Sequence, residues 1–154
     1  MAQRLGSRKS GHNDGERMSE ISDADWNELK AAATAAMERA YAPYSNFKVG
    51  VAGIADDGRI VTGCNVENAS YGLAMCAECS MVGHLLMSGG GKLVAAWCVD
   101  QRGESLMPCG RCRQLLWEHG GANMKLMTPE GIWTMAEVLP LAFGPDDLVA
   151  AAPE

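Results

Sequence analysis

The chain has 154 residues, of which 47% are hydrophobic and 21% are charged, and its formal net charge is −6. This length suits one domain with a proper core and is too short for two ordinary domains. Nucleic-acid binding requires a surface rich in Lys and Arg, so the acidic composition favours a small substrate over a polynucleotide. No apolar run approaches the roughly 20 residues of a membrane helix. We therefore expect a protein that neither spans a membrane nor binds nucleic acid.

Residues 1–20 differ in composition from the rest of the chain. They are rich in charged residues, Gly and Ser, and contain almost nothing apolar to bury. This segment is predicted to be a mobile N-terminal extension, and the folded domain is predicted over residues 21–150.

The predicted elements follow the order α-β-β-α-β-α-β-β-α. Ser22 and Asp25 form a helix-capping pattern, and the first helix runs from there to about Tyr41. The later elements are predicted at residues 47–54, 59–64, 75–87, 92–99, 109–119, 124–127, 132–134 and 135–139. This order predicts an α/β fold in three α-β-α layers, with a mixed five-stranded sheet between the helices.

The six cysteines indicate a metal site rather than disulfides. Four of them form two Cys-x-x-Cys pairs, and the chain does not open with a secretory signal, so a reducing compartment and a cytoplasmic location are expected. The other two, Cys64 and Cys98, lie in apolar strand contexts and are predicted to be buried free thiols.

Two short motifs, CAEC at residues 76–79 and PCGRC at residues 108–112, carry the chemistry. Thiolates from Cys76, Cys109 and Cys112 can fill three corners of a tetrahedral zinc site, and the open corner can hold a water whose pKa the metal lowers to about 7. Glu78 then lies close enough to move the proton of that water. A metal ligand, one residue, a Glu and a later Pro-Cys-x-x-Cys are the signature of zinc deaminases that replace a ring amine with oxygen.

The same cysteines also allow a closed four-thiolate site that only stabilises the fold. Two features favour the catalytic interpretation, because a Glu lies inside the first pair and a Pro precedes the second. On a helix, Cys79 is expected to point back beside the site rather than into the open corner of the metal. Each motif opens a predicted helix, so two helix dipoles offset the single negative charge that three thiolates leave on a divalent cation.

The chain resembles the cytidine deaminases of the small, homotetrameric, three-cysteine kind over roughly residues 26–148. The stretches that carry the resemblance are YAPYSNFKVG at 41–50, GCNVENASYG at 63–72, CAE at 76–78, PCGRCRQ at 108–114 and LPLAFGPDDL at 139–148. The resemblance implies a cytidine deaminase fold, one zinc ion per chain and a homotetramer with shared active sites.

The resemblance also implies which residues hold the substrate. Phe47, Asn65 and Glu67 hold the nucleoside in one subunit, with the two polar side chains on the ribose hydroxyls. The contacts from other subunits are Ala69 and Tyr71 of a second subunit and Phe143 of a third.

One position departs from the family pattern. Many members carry an Arg directly after the catalytic Glu, where its guanidinium hydrogen-bonds the zinc thiolates, and this chain has Cys79 there. We therefore expect the helix dipoles to offset the thiolate charge, with help from Arg111 or Arg113.

Together these features predict hydrolytic deamination of cytidine and 2'-deoxycytidine to the uracil nucleosides and ammonia, in pyrimidine salvage. Glu78 takes a proton from zinc-bound water, delivers it to N3 of the base and then protonates the departing amine. The backbone N–H of Ala77 is well placed to hydrogen-bond the developing oxygen or the pyrimidine carbonyl. Three alternatives stay open: a deaminase of a related cytosine nucleoside analogue, a polynucleotide deaminase, which would need a basic aromatic face, and a non-catalytic four-cysteine zinc module.

Overall fold

The computed structural model describes residues 20–150. Nearly all of the N-terminal extension predicted at residues 1–20 lies outside the described residues, so the boundary between extension and domain stays a prediction. Within the described range, no helix combines the length and the apolar character that crossing a membrane requires.

The described residues form five α-helices and five strands. The helices are α1 (Asp23–Glu38), α2 (Ala77–Met87), α3 (Gly110–Gly120), α4 (Met135–Val138) and α5 (Pro145–Ala150). The strands are β1 (Val49–Ala55), β2 (Ile60–Cys64), β3 (Leu93–Asp100), β4 (Lys125–Thr128) and β5 (Gly131–Thr134). A short 3-10 turn, Tyr71–Leu73, precedes α2.

The five strands form one mixed sheet in the order β2-β1-β3-β4-β5. β1 pairs antiparallel with β2 and with β3, so Ala52 lies between Thr62 on one side and Trp97 on the other. β3 and β4 are parallel, and β4 and β5 form an antiparallel hairpin. Because β2 and β3 are both antiparallel to β1, they run in the same direction. Their carboxyl ends therefore lie at the same edge of the sheet.

Helices cover both faces of this sheet. The residues by which α1 packs on one face are Trp26, Leu29, Ala33 and Met37. The residues by which α2, α3 and α4 pack on the other face are Ala77, Met81, Leu85, Leu116, Met135 and Val138. Burial on both faces explains why β1 and β3 are nearly continuous apolar segments. The predicted three-layer α/β fold is confirmed.

Two strand glycines let the helices approach the sheet closely. A Cβ atom at Gly50 would lie 2.1 Å from the carbonyl oxygen of Ala33 on α1, and one at Gly63 would lie 2.2 Å from the carbonyl oxygen of Ala77 on α2. A larger residue at position 63 would push away the first turn of α2, which carries the CAEC motif. The contact between β2 and α2 thus sets where that motif lies.

The start of α1 is confirmed and its end differs from the prediction. Ser22 is the N-cap in a reciprocal capping box with Asp25. The helix ends at Glu38 rather than near Tyr41, because Tyr41 already pairs with Val66 in an isolated parallel bridge.

Other differences are small shifts and one omission. The first strand begins at Val49 rather than at residue 47. α5 has no counterpart among the predicted elements, because six residues that open with Pro145 are too few to show a helical period.

Candidate active site

The two cysteine motifs meet at the sheet edge where β2 and β3 end. The segment that leaves β2 leads into α2, and the segment that leaves β3 leads into α3. Cys76 is the N-cap of α2 and Cys109 is the N-cap of α3, each one residue before the turn in which it was predicted. Neither side chain caps its helix through a hydrogen bond, so both thiols are available to a metal.

The sulfur atoms of Cys76, Cys109 and Cys112 all lie within 4.8 Å of one another. The Sγ atoms of Cys76 and Cys109 are 3.8 Å apart. Tetrahedral zinc with Zn–S distances of about 2.3 Å places two ligand sulfurs about 3.8 Å apart. This donor set and its spacing fit one zinc ion. Cys79 does not belong to the group, which argues against the closed four-thiolate alternative.

Burial opposes negative charge on two of these thiols, Cys76 and Cys112. Burial is the largest cause of the raised pKa of Cys76. Burial is also the largest cause of the pKa of Cys112 lying well above its usual range, and its interaction with Glu78 is the next cause. A divalent cation supplies the positive charge that thiolates need in such surroundings. The N-termini of α2 and α3 point at the same place and contribute their partial positive charges.

Glu78 lies in the first turn of α2 and is only 3% exposed. It lines a cavity of about 300 Å³ together with Cys76, Ala77 and Cys109. The structure therefore brings the predicted proton carrier and the predicted metal ligands to one concave site, where a bound molecule can reach both.

Asn65 and Glu67 line the same cavity, and both side chains also hold the backbone around it. The Asn65 amide accepts a hydrogen bond from the N–H of Val49 at 2.8 Å and donates one to the carbonyl oxygen of Phe47 at 2.9 Å. The Glu67 carboxylate accepts the N–H groups of Tyr44 and Ser45 and the Ser45 hydroxyl. An amide and a carboxylate each offer about four hydrogen-bonding positions, so both side chains retain capacity for a ligand.

The hydrogen bonds to Glu67 also fix its charge. The Ser45 hydroxyl, followed by the N–H groups of Tyr44 and Ser45, holds the pKa of the Glu67 carboxyl below its usual value against an opposing effect of burial. The carboxylate is therefore ionised at neutral pH and acts as an acceptor.

Four of the predicted substrate residues lie outside the lining of this cavity in their own chain. Their side chains face outward to different degrees: Phe47 is 44% exposed, Phe143 is 58% exposed and Tyr71 is 78% exposed, and Ala69 is exposed too. One described chain therefore brings Asn65, Glu67, Ala77 and Glu78 to the cysteine cluster, of which Cys76 and Cys109 line the same cavity, and it does not place the other four residues in that lining.

Tyr71 instead lines a second cavity, of about 310 Å³, that borders the first. The two cavities share Glu67 and Ala74 in their linings. The rings of Tyr44 and Tyr71 lie together at the second cavity, with centroids 6.1 Å apart and ring planes tilted by 60°. The first cavity is thus continued by an aromatic rim.

Arg111 and Arg113, the two arginines expected to help the metal site, have different partners. A terminal nitrogen of Arg111 donates to the Sγ atom of Cys79 at 3.4 Å, and interaction with Cys79 and then Cys76 raises the pKa of the Arg111 guanidinium. Arg113 donates from Nε to the carbonyl oxygen of Pro108 at 2.9 Å. Only Arg111 of the two reaches from α3 to α2 in these contacts.

Several apolar residues of the first cavity have no counterpart among the site residues predicted from the sequence. They are Val49, Met75, Cys98, Leu106 and Met107. Cys98 is a buried free thiol, as predicted, whereas Cys64 is only half-buried. Met107 could have been found because it precedes the PCGRC motif, but the others come from separate segments that only the fold brings together.

The chain belongs to the cytidine and deoxycytidylate deaminase family. The family profile described as the cytidine and deoxycytidylate deaminase zinc-binding region matches residues 24–128. This match and the cysteine cluster confirm the predicted family and its zinc ion, one per chain.

Individual relatives agree with this family. The chain is 56% identical over 126 residues to the cytidine deaminase of Mycobacterium tuberculosis, a match that covers 82% of this chain and 95% of that protein. The crystal structure of cytidine deaminase from Mycobacterium leprae is 65% identical, with a TM-score of 0.75 over 77% of this chain and 99% of that one. The crystal structure of the Mycobacterium tuberculosis enzyme has a TM-score of 0.77 over 79% of this chain and 99% of that one.

Proposed function

We propose that this protein is a cytidine deaminase that converts cytidine and 2'-deoxycytidine, with water, into uridine and 2'-deoxyuridine and releases ammonia. The observation that carries the proposal is a single cavity lined both by Cys76 and Cys109 of the Cys76–Cys109–Cys112 cluster and by the buried residue Glu78. Family membership and the 56% identity to a cytidine deaminase support the same reaction. Such an activity serves pyrimidine salvage.

Glu78 carries the protons of the reaction. Zinc held by the three thiolates supplies the Lewis acidity that makes a water molecule a nucleophile at neutral pH. Glu78 accepts the proton that the attacking water loses and delivers it to N3 of the base, which makes C4 electrophilic. After the oxygen has added to C4, Glu78 accepts the remaining proton of that oxygen and transfers it to the amine, so that C4 becomes the carbonyl carbon and the amine leaves as ammonia. The low exposure of Glu78 limits proton exchange with bulk water.

Ala77 contributes its backbone. It is the first residue of α2, so its N–H lacks an acceptor within the helix. It lines the cavity beside Glu78, where this N–H can donate to the pyrimidine carbonyl or to the developing oxygen. This contact fixes the base relative to the proton carrier.

Asn65 and Glu67 select a nucleoside over a free base. Each has hydrogen-bonding capacity left after its bonds to the backbone, and both line the cavity. A ribose hydroxyl supplies the missing partner, and a ligand without it leaves these groups unpaired at about 1–3 kcal/mol each. We assign the two side chains to the 3'-hydroxyl, so the 2'-hydroxyl is not required.

The pocket is completed by other copies of the chain in a homotetramer. Phe47 contributes from the same subunit as Asn65. The contacts from other subunits are Ala69 and Tyr71 of a second and Phe143 of a third. Three observations support this assembly. Ala69, Tyr71 and Phe143 do not line the cavity that contains Glu78 in the same chain, and Tyr71 and Phe143 are more than half exposed. The C-terminal segment around Phe143 also exposes further apolar side chains. These further side chains are Leu141, Leu148 and Val149.

A substrate panel tests the proposal. Cytidine, 2'-deoxycytidine, 3'-deoxycytidine, cytosine and cytidine monophosphate are compared under one set of conditions by the ultraviolet change on loss of the amine. We expect the first two to be turned over well and the other three poorly. The monophosphate is excluded because an acidic protein repels it. Efficient turnover of cytosine or of the monophosphate would show the right chemistry with a different substrate.

The alternative substrate is a related cytosine nucleoside analogue. Deamination of such an analogue needs the same zinc, the same carboxylate and a sugar on the substrate. In the same assay its rate of turnover would exceed that of cytidine.

The domain boundary at residues 20 and 21 and the cytoplasmic location are further expectations from the sequence that stay predictions.

A further inference from the structure

The contact between Arg111 and Cys79 joins the two helices that bear the metal ligands. Cys79 lies in the first turn of α2, three residues after Cys76, and Arg111 lies in the first turn of α3, between Cys109 and Cys112. The hydrogen bond of 3.4 Å from the guanidinium to the Cys79 sulfur therefore spans the gap between the two helix N-termini. Neither residue belongs to the ligand cluster itself.

The charge at this place favours a nearby cation. Three thiolates on a divalent metal leave one net negative charge. Helix dipoles supply only partial charges, whereas a guanidinium supplies a full charge that stays protonated. Arg113 donates its hydrogen bond to the carbonyl oxygen of Pro108. Of these two arginines on α3, Arg111 is therefore the one whose guanidinium contacts a cysteine sulfur.

We propose that Arg111 is a positioning residue for the zinc centre. Cys79 anchors the Arg111 side chain beside the thiolate ligands. The guanidinium then offsets the charge of these ligands and ties α3 to α2. Cys79 is then the acceptor that holds the arginine rather than a fourth ligand. This inference rests on the zinc centre and not on the identity of the substrate. It assigns a role to the position at which the chain departs from the usual sequence pattern.

The rate at which zinc leaves the protein tests the proposal without an activity measurement. Zinc-loaded wild-type protein is mixed with a chromophoric chelator, and the transfer of zinc is followed by absorbance. Changing a side chain that supports metal ligands typically costs 10–100-fold in metal affinity. We therefore expect Arg111→Ala to release zinc at least about tenfold faster than wild type, and Arg111→Lys to lie between them because it keeps the charge and loses the planar fork.

Arg39→Ala is the matched control. Arg39 is an exposed arginine at the C-cap of α1, so this variant loses the same side chain and the same charge away from the metal. We expect it to release zinc at the wild-type rate. Release from Arg111→Ala at the rate of Arg39→Ala would overturn the proposal.

Cys79→Ala tests whether the cysteine holds the arginine. We expect faster release from this variant and little further change when Arg111→Ala is added, because both changes break one contact. Fully additive effects would overturn the anchoring role of Cys79. If Arg111→Ala does not fold, as judged by circular dichroism, Arg111→Lys and Cys79→Ala carry the test. Faster release from both supports the proposal, and release at the Arg39→Ala rate contradicts it.

Discussion

The side-chain amide of Gln114 donates a hydrogen bond of 2.9 Å to the carbonyl oxygen of Phe143. Gln114 lies on α3, two residues after the metal-cluster residue Cys112, so the C-terminal segment is fixed to the helix that begins at the metal site. The next residue is held as well, because the N–H of Gly144 donates to Asp147 at 2.8 Å. The backbone of Phe143 is thus anchored while its ring remains 58% exposed.

An anchored and exposed ring suits a contact in another subunit, so Phe143→Ala should weaken substrate binding. Base–aromatic stacking is worth about 1–3 kcal/mol, and we expect the Michaelis constant for cytidine to rise about tenfold with zinc content unchanged. Gln114→Ala should give a smaller rise in the same direction, about two- to tenfold, because it removes one hydrogen bond that holds the ring in place.

Glu118→Ala is the control for these two variants, since Glu118 is exposed on the same helix and its change should leave the Michaelis constant as it is. A Phe143→Ala enzyme with wild-type kinetics would remove the assigned role of the ring. A Phe143→Ala effect without a Gln114→Ala effect would remove only the role of the anchor.

Zinc stoichiometry separates the three-thiolate site from the four-thiolate alternative. Cys79→Ser should purify with about one zinc per chain, because the Cys79 sulfur lies outside the metal cluster. Cys112→Ser should lose both metal and stability, because it removes a buried ligand. Metal content measured by mass spectrometry decides between the three-thiolate and the four-thiolate site. A Cys79→Ser protein that purifies without zinc would favour the closed four-thiolate site.

Close packing at Gly63 predicts a stability effect. Gly63→Ala places a Cβ atom 2.2 Å from the Ala77 carbonyl oxygen and 2.4 Å from the Met81 backbone nitrogen, so α2 must move. We expect the free energy of unfolding, measured by urea denaturation, to fall by about 1–3 kcal/mol or more.

Gly83→Ala is the matched control, because Gly83 lies inside α2 with nothing within 4 Å of an added Cβ atom. This variant should gain roughly 0.5–1 kcal/mol from helix propensity. Equal effects of the two changes would contradict the packing argument.

The lowered pKa of Glu67 predicts a pH dependence of stability. The folded value lies below the ordinary value of 4.5, so the unfolded chain binds more protons in that range. The stabilisation is therefore complete above about pH 4.5 and is lost as the pH falls through the lower folded value. Glu67→Gln should lower the melting temperature at about pH 6, and the difference from wild type should shrink toward about pH 3.5. A difference that does not change over this interval would show that the carboxylate charge is not what holds Tyr44 and Ser45.

The elements and the metal cluster were predictable because their signals are local. Ser22 and Asp25 cap α1 within a single turn, and two Cys-x-x-Cys pairs with a Glu inside the first indicate a thiolate metal site before any fold is known. Helix ends were less predictable, because the end of α1 depends on the bridge between Tyr41 and Val66, which lie far apart in sequence.

The surroundings of the site could not be predicted, because they depend on contacts between distant segments. The sequence predicts Cys98 only as a buried strand residue, yet it lines the cavity that Glu78 of α2 and Cys109, the N-cap of α3, also line. The sequence alone gives Arg111 and Arg113 the same expected role beside the metal. Their hydrogen bonds distinguish them, because Arg111 contacts Cys79 and Arg113 contacts Pro108. The need for glycine at position 63 also appears only when α2 is placed against β2.

The most direct test of the account is Glu78→Gln, assayed on cytidine by its ultraviolet change with the zinc content of the same sample measured in parallel. The amide keeps the shape and the hydrogen bonding of the side chain but cannot carry a proton. We expect one zinc per chain, an intact fold and turnover reduced by several orders of magnitude, beyond the roughly 10²–10⁴ of simple acid–base help because one group serves more than one step. A zinc-loaded Glu78→Gln enzyme that still deaminates cytidine at a substantial rate would contradict the account.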